Sequence, residues 1–491
     1  MSKALPRFTQ RTRPAALRRL FDDAGYRDER VAGLLGLPSA ATASGLGPSV
    51  LRLRTADGSL LATLVRLFVG GITVNPAELS AVLGPDSVDA LIDSALLEAT
   101  PDGYGATVRL IPFDDLLFAC DRMERHRDRA ADFVVGPSPV AQTLAALTLR
   151  KPVERTLDLG CGAGVLALLA ARHSKHVVAL DLNTRAAALT RFNAALNASE
   201  GVETVAGDLF APLSGQRFDL IVSNPPFVIG PDSTYLYRDG GEQICTRIVE
   251  EAPAHLVAGG CLQMLCNWPE RAGEDWRAAV TAWFAGNECD AWVLRLQSLD
   301  AMTYAVTWLS QEFAGQAIPD ATLAHWMAHL SSLAIASVGT GLVVISRPRA
   351  RKPWLEVRDA PTLIGTAGTC IGHVLAARDF AATFDADDAL LATCLRPSPD
   401  LEYRTRQRPG GNGWQLHRAE LKLIQGFSFA VNADPVVTQL IGQLDGRRTV
   451  REALDIVANG FELDSAMLLP ELPATVRRLL HLGLLVPVDG G

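Results

Sequence analysis

The sequence predicts an α/β fold, a mostly parallel sheet with helices on both faces, preceded by a helical region and followed by an α+β region. Three observations predict it. From Thr156 onward, buried strand-like runs alternate with helical periodicity, the pattern of a parallel sheet whose crossovers are helices. The first of these strands runs into three alternating glycines and then an apolar helix. A charged, proline-framed linker at 347–353 closes the region, because prolines interrupt regular structure and the charges keep the segment wet. A chain of 491 residues exceeds what one hydrophobic core organises. Three domains are therefore expected, at 1–130, 131–350 and 351–491.

Residues 1–20 are rich in Arg and lack Asp and Glu. They carry no apolar core or cleavage pattern of a signal peptide and are expected to form a solvated tail. Helical periodicity then appears at 14–22, 60–69, 76–83 and 87–97. Behind it lie Gly103-Tyr-Gly105 and a strand-like run at 108–118, together suggesting a winged-helix-like module. Strand candidates come next at 156–159, 177–181, 203–206, 219–223 and 261–266, with 291–296 and 341–346 completing a seven-stranded sheet. Beyond the linker, Pro409-Gly-Gly-Asn-Gly413 reads as a hairpin turn, and Thr449 and Glu452 have capping-box spacing, so a helix should start near Val450.

Composition excludes several classes. Apolar residues make up 48% and charged residues 20%, too hydrophobic for extensive disorder. A net charge of -8 argues against a whole-protein electrostatic grip on nucleic acid. The longest apolar stretch, 333–345, is interrupted by Ser and Gly and shorter than a bilayer span, so no membrane association is expected. Cysteines at 120, 161, 245, 261, 266, 289, 370 and 394 form no C-x-x-C pair and are expected as reduced thiols in the cytoplasm. His325 and His329 lack the Glu of H-E-x-x-H and a third ligand, so no metal is expected.

The chemistry concentrates in two segments. In Leu157-Asp-Leu-Gly-Cys-Gly-Ala-Gly-Val165, the glycines let the backbone turn sharply and let a ligand approach the helix N-terminus. The loop reads G-x-G-x-G through Gly160, Gly162 and Gly164, not the dehydrogenase G-x-G-x-x-G. Asp158 sits where a carboxylate can meet the cationic end of an amino-acid moiety. Asp181 ends the second strand about 20 residues later, the offset at which an acidic side chain reaches ribose hydroxyls; alone, it would be a helix cap. Asp208, in Gly207-Asp-Leu-Phe210, is either an acceptor for an adenine amino group or a helix N-cap.

The second segment is Phe218-Asp-Leu-Ile-Val-Ser-Asn-Pro-Pro-Phe227, in which a buried strand stops at Asn224 and Pro225 and Pro226 stiffen the chain beyond it. Their carbonyls and the Asn224 amide can hold the two N–H donors of a planar NH2 group. Phe227 offers a flat surface for stacking. Amide nitrogens have delocalised lone pairs, so such a site must align them and stabilise developing charge.

Together these motifs resemble the Rossmann-like class I S-adenosylmethionine-dependent methyltransferases of the "small" domain type, with D-x-G-x-G-x-G and N-P-P-F/Y. Gly207-Asp-Leu-Phe210, the N-P-P-F strand and Gly136-Pro-Ser-Pro139 resemble release-factor glutamine N5-methyltransferases. Arg238-Asp-Gly-Gly241 and Gly260-Cys-Leu-Gln-Met-Leu-Cys-Asn267 resemble ribosomal RNA guanine-N2 methyltransferases. The resemblance implies S-adenosyl-L-methionine as cofactor, held by Asp158, Gly160, Gly162, Gly164, Asp181, Asp208, Leu209 and Asn224, with Asn224, Pro225, Pro226 and Phe227 catalytic. It implies N-methylation of a glutamine-type amide in a protein or peptide; the alternatives are an RNA or DNA base and a silent cofactor-binding regulator. Phe227 stands where the glutamine-modifying group commonly has tyrosine. The stretch 444–485 is similar to small winged-helix peptide-binding modules. Arg404, Arg406 and Arg408 alternate along a strand and share one face, for phosphates or for solvent. Oligomeric state is left open.

Overall fold

In the computed structural model, residues 5–10, 12–128, 130–231, 243–313, 316–348, 351–411 and 413–488 are described. They fall into two compact units, one comprising Met1–Ala145, Lys151–Arg347 and Trp354–Arg358, the other Ala146–Arg150, Pro348–Pro353 and Asp359–Gly491.

The first unit begins with helices and two hairpins. Helix Pro14–Asp23 buries Leu17 and Phe21, and Phe8 stacks on Phe192 with ring centroids 4.6 Å apart. The N-terminal segment is therefore packed from Phe8 on rather than a solvated tail, because its few apolar residues face the core. Helix Pro85–Asp93 stops short of 97 because Ala95 adopts a left-handed φ of 55°; Leu96 and Leu97 are buried beyond that turn. Strands β1 (Leu97–Thr100) and β2 (Gly103–Ala106) form the first hairpin. The run expected as one strand at 108–118 is broken by left-handed Asp114 (φ 56°) into β3 (Arg109–Phe113) and β4 (Leu116–Cys120).

The sheet comprises β5 (Val153–Leu159), β6 (Ser174–Asp181), β7 (Val202–Ala206), β8 (Phe218–Ser223), β9 (Leu256–Arg271), β10 (Asp290–Asp300), β11 (Ile335–Ser346) and β12 (Leu355–Asp359). Its order is β12-β10-β11-β9-β8-β5-β6-β7. Strands β7, β6, β5, β8 and β9 run parallel, whereas β11 is antiparallel to both neighbours. The described sheet thus has eight strands where seven were expected. The chain returns after the proline linker, with the Ala291 N–H donating to the Trp354 carbonyl at 2.8 Å, and β12 adds an edge.

A single hydrophobic cluster runs from the N-terminal helices into this α/β layer, including Phe21, Phe68, Leu110, Val134, Ala163, Leu189 and Phe192. Helix Thr184–Leu196 carries Asn193, whose side chain accepts from the Ala119 N–H (2.8 Å) and donates to the Ala119 carbonyl (3.0 Å). Asn197 does the same for Leu117, at 2.8 and 2.7 Å. Two side-chain amides thereby occupy the free edge of β4 as a neighbouring strand would. The buried Arg185–Asp121 pair, 2.6 Å apart, adds a charged link between the same elements.

In the second unit, β13 (Leu363–Ile364) pairs with β17 (Gly426–Phe427), β14 (Leu395–Pro397) with β19 (Leu485–Pro487), and β15 (Leu401–Gly410) and β16 (Gly413–Leu423) form a long hairpin joined by β18 (Ala430–Asn432). Helix Val450–Gly460 opens with the expected reciprocal capping box of Thr449 and Glu452. Among the described residues, no helix is long and apolar enough to cross a membrane.

Candidate active site

The carboxyl ends of β5, β6 and β8 meet at the glycine loop. Gly160, Gly162 and Gly164 have φ of 80°, 54° and 82°, a left-handed run that costs about 1 to 2 kcal/mol per residue once a β-carbon is present. The loop is fastened by its own backbone: the Gly160 and Cys161 N–H groups donate to the Leu180 carbonyl at 2.8 and 2.9 Å, and Gly164 N–H to Cys161 O at 2.7 Å. A β-carbon on Gly160 would meet Asn224 O at 3.9 Å and one on Gly162 would meet Val135 O at 3.7 Å, ordinary contacts that leave both sites unobstructed. Gly164 differs, because its β-carbon would meet the Thr190 side chain at 2.7 Å. The third glycine serves helix packing.

Asp158 is 1% exposed. Its Oδ2 accepts from the Ala167 N–H at 2.8 Å, in the helix Val165–Ala170 that comes after the loop. Its Oδ1 is buried and has no partner among the described residues. Burial pushes this carboxyl up to about 7, against the pull of the Ala167 N–H. Asp181 accepts from Gly162 N–H and from Asn183 N–H, both at 2.8 Å, and burial raises it as well. It clamps the loop and shapes the turn into the next helix. The Gly207 N–H donates to the Asp181 carbonyl at 3.0 Å, bringing the 207–209 turn alongside. There Leu209 is buried and left-handed (φ 43°), while Asp208 faces Arg247 at 3.3 Å, both side chains about half exposed. It caps no helix through its side chain: Phe210 is the N-cap residue of the short turn after it.

Asn224 comes directly after β8. Ser223 Oγ donates to Leu159 O at 2.8 Å, holding the ends of β8 and β5 together. Asn224 Oδ1 is buried with no partner among the described residues, a condition that costs free energy unless something fills it. Pro225 is buried, and its carbonyl accepts from Phe227 N–H at 2.8 Å. Phe227 is 5% exposed and meets Trp308 edge-on, centroids 6.3 Å apart.

Sequence reasoning missed the residues that brace this corner. The Ile229 N–H donates to Tyr304 Oη at 3.0 Å, Asn267 Nδ2 donates to the same oxygen at 2.9 Å, and Thr340 Oγ1 donates to Asn267 Oδ1 at 2.7 Å. The Trp326 ring lies so close to Gly230 that a β-carbon there would meet it at 2.9 Å. One signal was present: Asn267 is a polar residue closing an apolar strand run. The Arg238-Asp-Gly-Gly241 motif lies outside the described residues. No group of His, Cys, Asp or Glu able to hold a metal occurs among the described residues.

Residues 139–275 match the family described as the methyltransferase small domain; residues 23–107 and 373–487 match families described only as domains of unknown function. The chain is 34% identical over 132 residues to ribosomal RNA small subunit methyltransferase C of Alcanivorax borkumensis, covering 27% of this chain and 38% of that one. It is 36% identical over 178 residues to the release factor glutamine methyltransferase of Deinococcus radiodurans, covering 31% and 63%. With the ribosomal protein uL3 glutamine methyltransferase of Bradyrhizobium diazoefficiens it shares 39% over 126 residues, covering 22% and 40%. The chain thus spans less than two thirds of the length of each of these relatives. A solved methyltransferase from Pyrococcus furiosus overlaps 43% of this chain and 84% of its own at 16% identity and a TM-score of 0.28.

Proposed function

We propose that this chain is a cytoplasmic S-adenosylmethionine-dependent N-methyltransferase whose acceptor is a glutamine-type side-chain amide of a protein or peptide. One observation carries the reading: a buried carbonyl oxygen, Asn224 Oδ1, unpaired among the described residues, stands beside the glycine loop at the carboxyl ends of parallel strands. That is where ligands bind in open α/β sheets. Eight free cysteines fit a reducing compartment.

The donor set suits this cofactor. Asp158 Oδ1 is an acceptor awaiting a donor, as the ammonium of an amino-acid moiety would supply. Asp181, with lone pairs left beyond its bonds to Gly162 and Asn183, would accept from ribose hydroxyls, and the 207–209 turn would hold the adenine. When bound, the cofactor supplies an electrophilic methyl group on a sulfonium sulfur. This chain's residues do the rest. Asn224 Oδ1 accepts one amide N–H of the acceptor, and the Pro225 carbonyl, which keeps a second lone pair beyond its bond to Phe227, accepts the other. The nitrogen is thereby oriented, and positive charge developing on it is spread over preorganised acceptors. Pro226 stiffens the turn, and the buried Phe227 ring excludes water from it.

Relatives named for glutamine methylation and relatives named for ribosomal RNA both match, so guanine N2 in RNA is the second reading. The test is to incubate the purified chain with labelled methyl donor and a cell extract, then digest with protease and nuclease separately. Label recovered as N5-methylglutamine supports the first reading and label on a guanine the second. Label in an ester or thioether overturns both.

A further inference from the structure

The C-terminal unit carries a feature that the methyl-transfer site does not use. Strands β15 and β16 pair from Leu401↔Leu423 to Gly410↔Gly413, yet residues 402–409 on one arm and 413–418 on the other are all solvent-exposed, Asn412 at the turn lying outside the described residues. A ribbon wet on both faces contributes little to a core. The pairing sorts its side chains by face. Arg404 lies opposite Glu420, Arg406 opposite Arg418 and Arg408 opposite Gln415, on one side; Tyr403, Leu416 and Trp414 lie on the other.

The basic face is strong for a chain of net charge -8. Residues 401–423 hold five basic side chains, Arg404, Arg406, Arg408, Arg418 and Lys422, against Glu402 and Glu420. Arg404 pairs with Glu402 at 2.8 Å and Arg418 with Glu420 at 3.0 Å. Arg406 and Arg408 are exposed and have no acidic partner among the described residues. The opposite face is equally unusual: Trp414 is 72% exposed, Leu416 60% and Tyr403 51%. Exposed rings at the tip of a two-stranded ribbon whose other face carries free guanidinium groups allow a single strand to wrap the tip, arginine to phosphate on one face and aromatic to base on the other.

We infer that the β15–β16 hairpin is a binding surface for single-stranded RNA, with Arg406 and Arg408 on the phosphates and Trp414 at the tip stacking on a base. Alternate residues of a strand are about 6.7 Å apart, so the two guanidinium groups can engage successive phosphates of an extended strand. The inference goes beyond the acceptor reading and holds for either acceptor, since an enzyme that modifies a protein can still be recruited by RNA.

The experiment measures fluorescence anisotropy of a labelled single-stranded RNA titrated with the full chain over a series of salt concentrations, with cofactor binding by calorimetry as a check on folding. Saturable, salt-dependent binding is expected. The R406E/R408E double variant should weaken it about tenfold or more and flatten the slope of log affinity against log salt by about 1.4, near 0.7 per lost contact. Trp414→Ala should weaken binding about fivefold or more without changing that slope. The R52E/R478E variant, with the same charge change at exposed positions elsewhere, should bind like the parent. Absence of RNA binding, equal loss in R52E/R478E, or tighter binding to polyglutamate than to RNA would overturn the inference, the last assigning the hairpin to an acidic protein.

Discussion

The glycine loop and the Asn224 corner abut at the end of the same two strands, yet they are built in opposite ways. The loop is held by backbone hydrogen bonds to Leu180 and Cys161, by the Asp181 carboxylate, and by Thr190 and Asn193, which donate to the Gly162 and Ala163 carbonyls. The corner keeps an unpaired side-chain oxygen and is braced through Tyr304, Asn267 and Thr340, residues distant in sequence. The loop's shape needs its left-handed glycines and has its polar groups bound by protein, whereas the corner's shape is imposed by its neighbours and leaves an acceptor unfilled. The first suits a constant ligand. The second can be retuned for a different acceptor by changing side chains far from the reacting atoms.

The largest expected effect breaks the two apart. Asn224→Ala should lower methyl transfer about 100-fold or more, in line with losing roughly 2.7 kcal/mol of transition-state stabilisation, while calorimetric cofactor affinity changes little; full turnover would remove Asn224 from the reaction. A smaller effect belongs to Asp158. Its folded-state pKa of about 7 lies above the unfolded value of about 3.9, so the free protein retains a proton that the unfolded chain loses. Its contribution to stability is present at low pH and lost as pH rises from about 4 to about 7. A cationic ligand end needs the ionised form, so cofactor affinity should fall about tenfold per pH unit below about 7. Asp158→Asn should flatten that profile; an unchanged profile would show that another group titrates.

Tyr304→Phe sharpens the comparison from the corner's side. It leaves the Ile229 N–H and the Asn267 amide without their shared acceptor, and a loss of about 1 to 1.5 kcal/mol should appear as roughly a five- to tenfold drop in kcat with cofactor affinity unmoved. Equal losses in both would mean that the tyrosine only supports the fold. The smallest effect separates the glycines themselves: Gly164→Ala, facing Thr190, should lower thermal stability by about 1 kcal/mol more than Gly162→Ala, whereas Gly162→Ala should weaken cofactor binding more. Thermal melts with and without S-adenosylhomocysteine distinguish the two.

The same contrast explains which parts of the molecule are legible in the amino-acid sequence. Strands β5 to β8, the three glycines, Asp158, Asp181 and the N-P-P-F turn declare themselves through contiguous residues, since burial, period and turn chemistry act over a few positions. So do the β15–β16 hairpin and the capping box at Thr449. Tyr304 and Trp326 were not legible, because a helix aromatic acquires meaning only once the sheet brings β9 and β11 together, and Asn267 showed only as a polar residue closing an apolar strand, without its bracing role. Ala95 and Asp114 misled for a local reason: residues with side chains entering left-handed conformations leave no glycine to mark the turn. The packed N-terminal segment was missed because charge composition outweighs a few well-spaced apolar residues such as Leu17 and Phe21.

The two asparagines that close the edge of β4 bear on how this chain can be cut. Exposed strand edges template association with other chains, and Asn193 and Asn197 act here as a fitted stopper. Removing the residues before 130 would strip a helix of its counterpart, and expressing them alone would uncork a sticky ribbon. The N-terminal helices and the sheet behind them are thus expected to depend on each other for folding in this chain, and a shortened version of either part should aggregate in preference to folding.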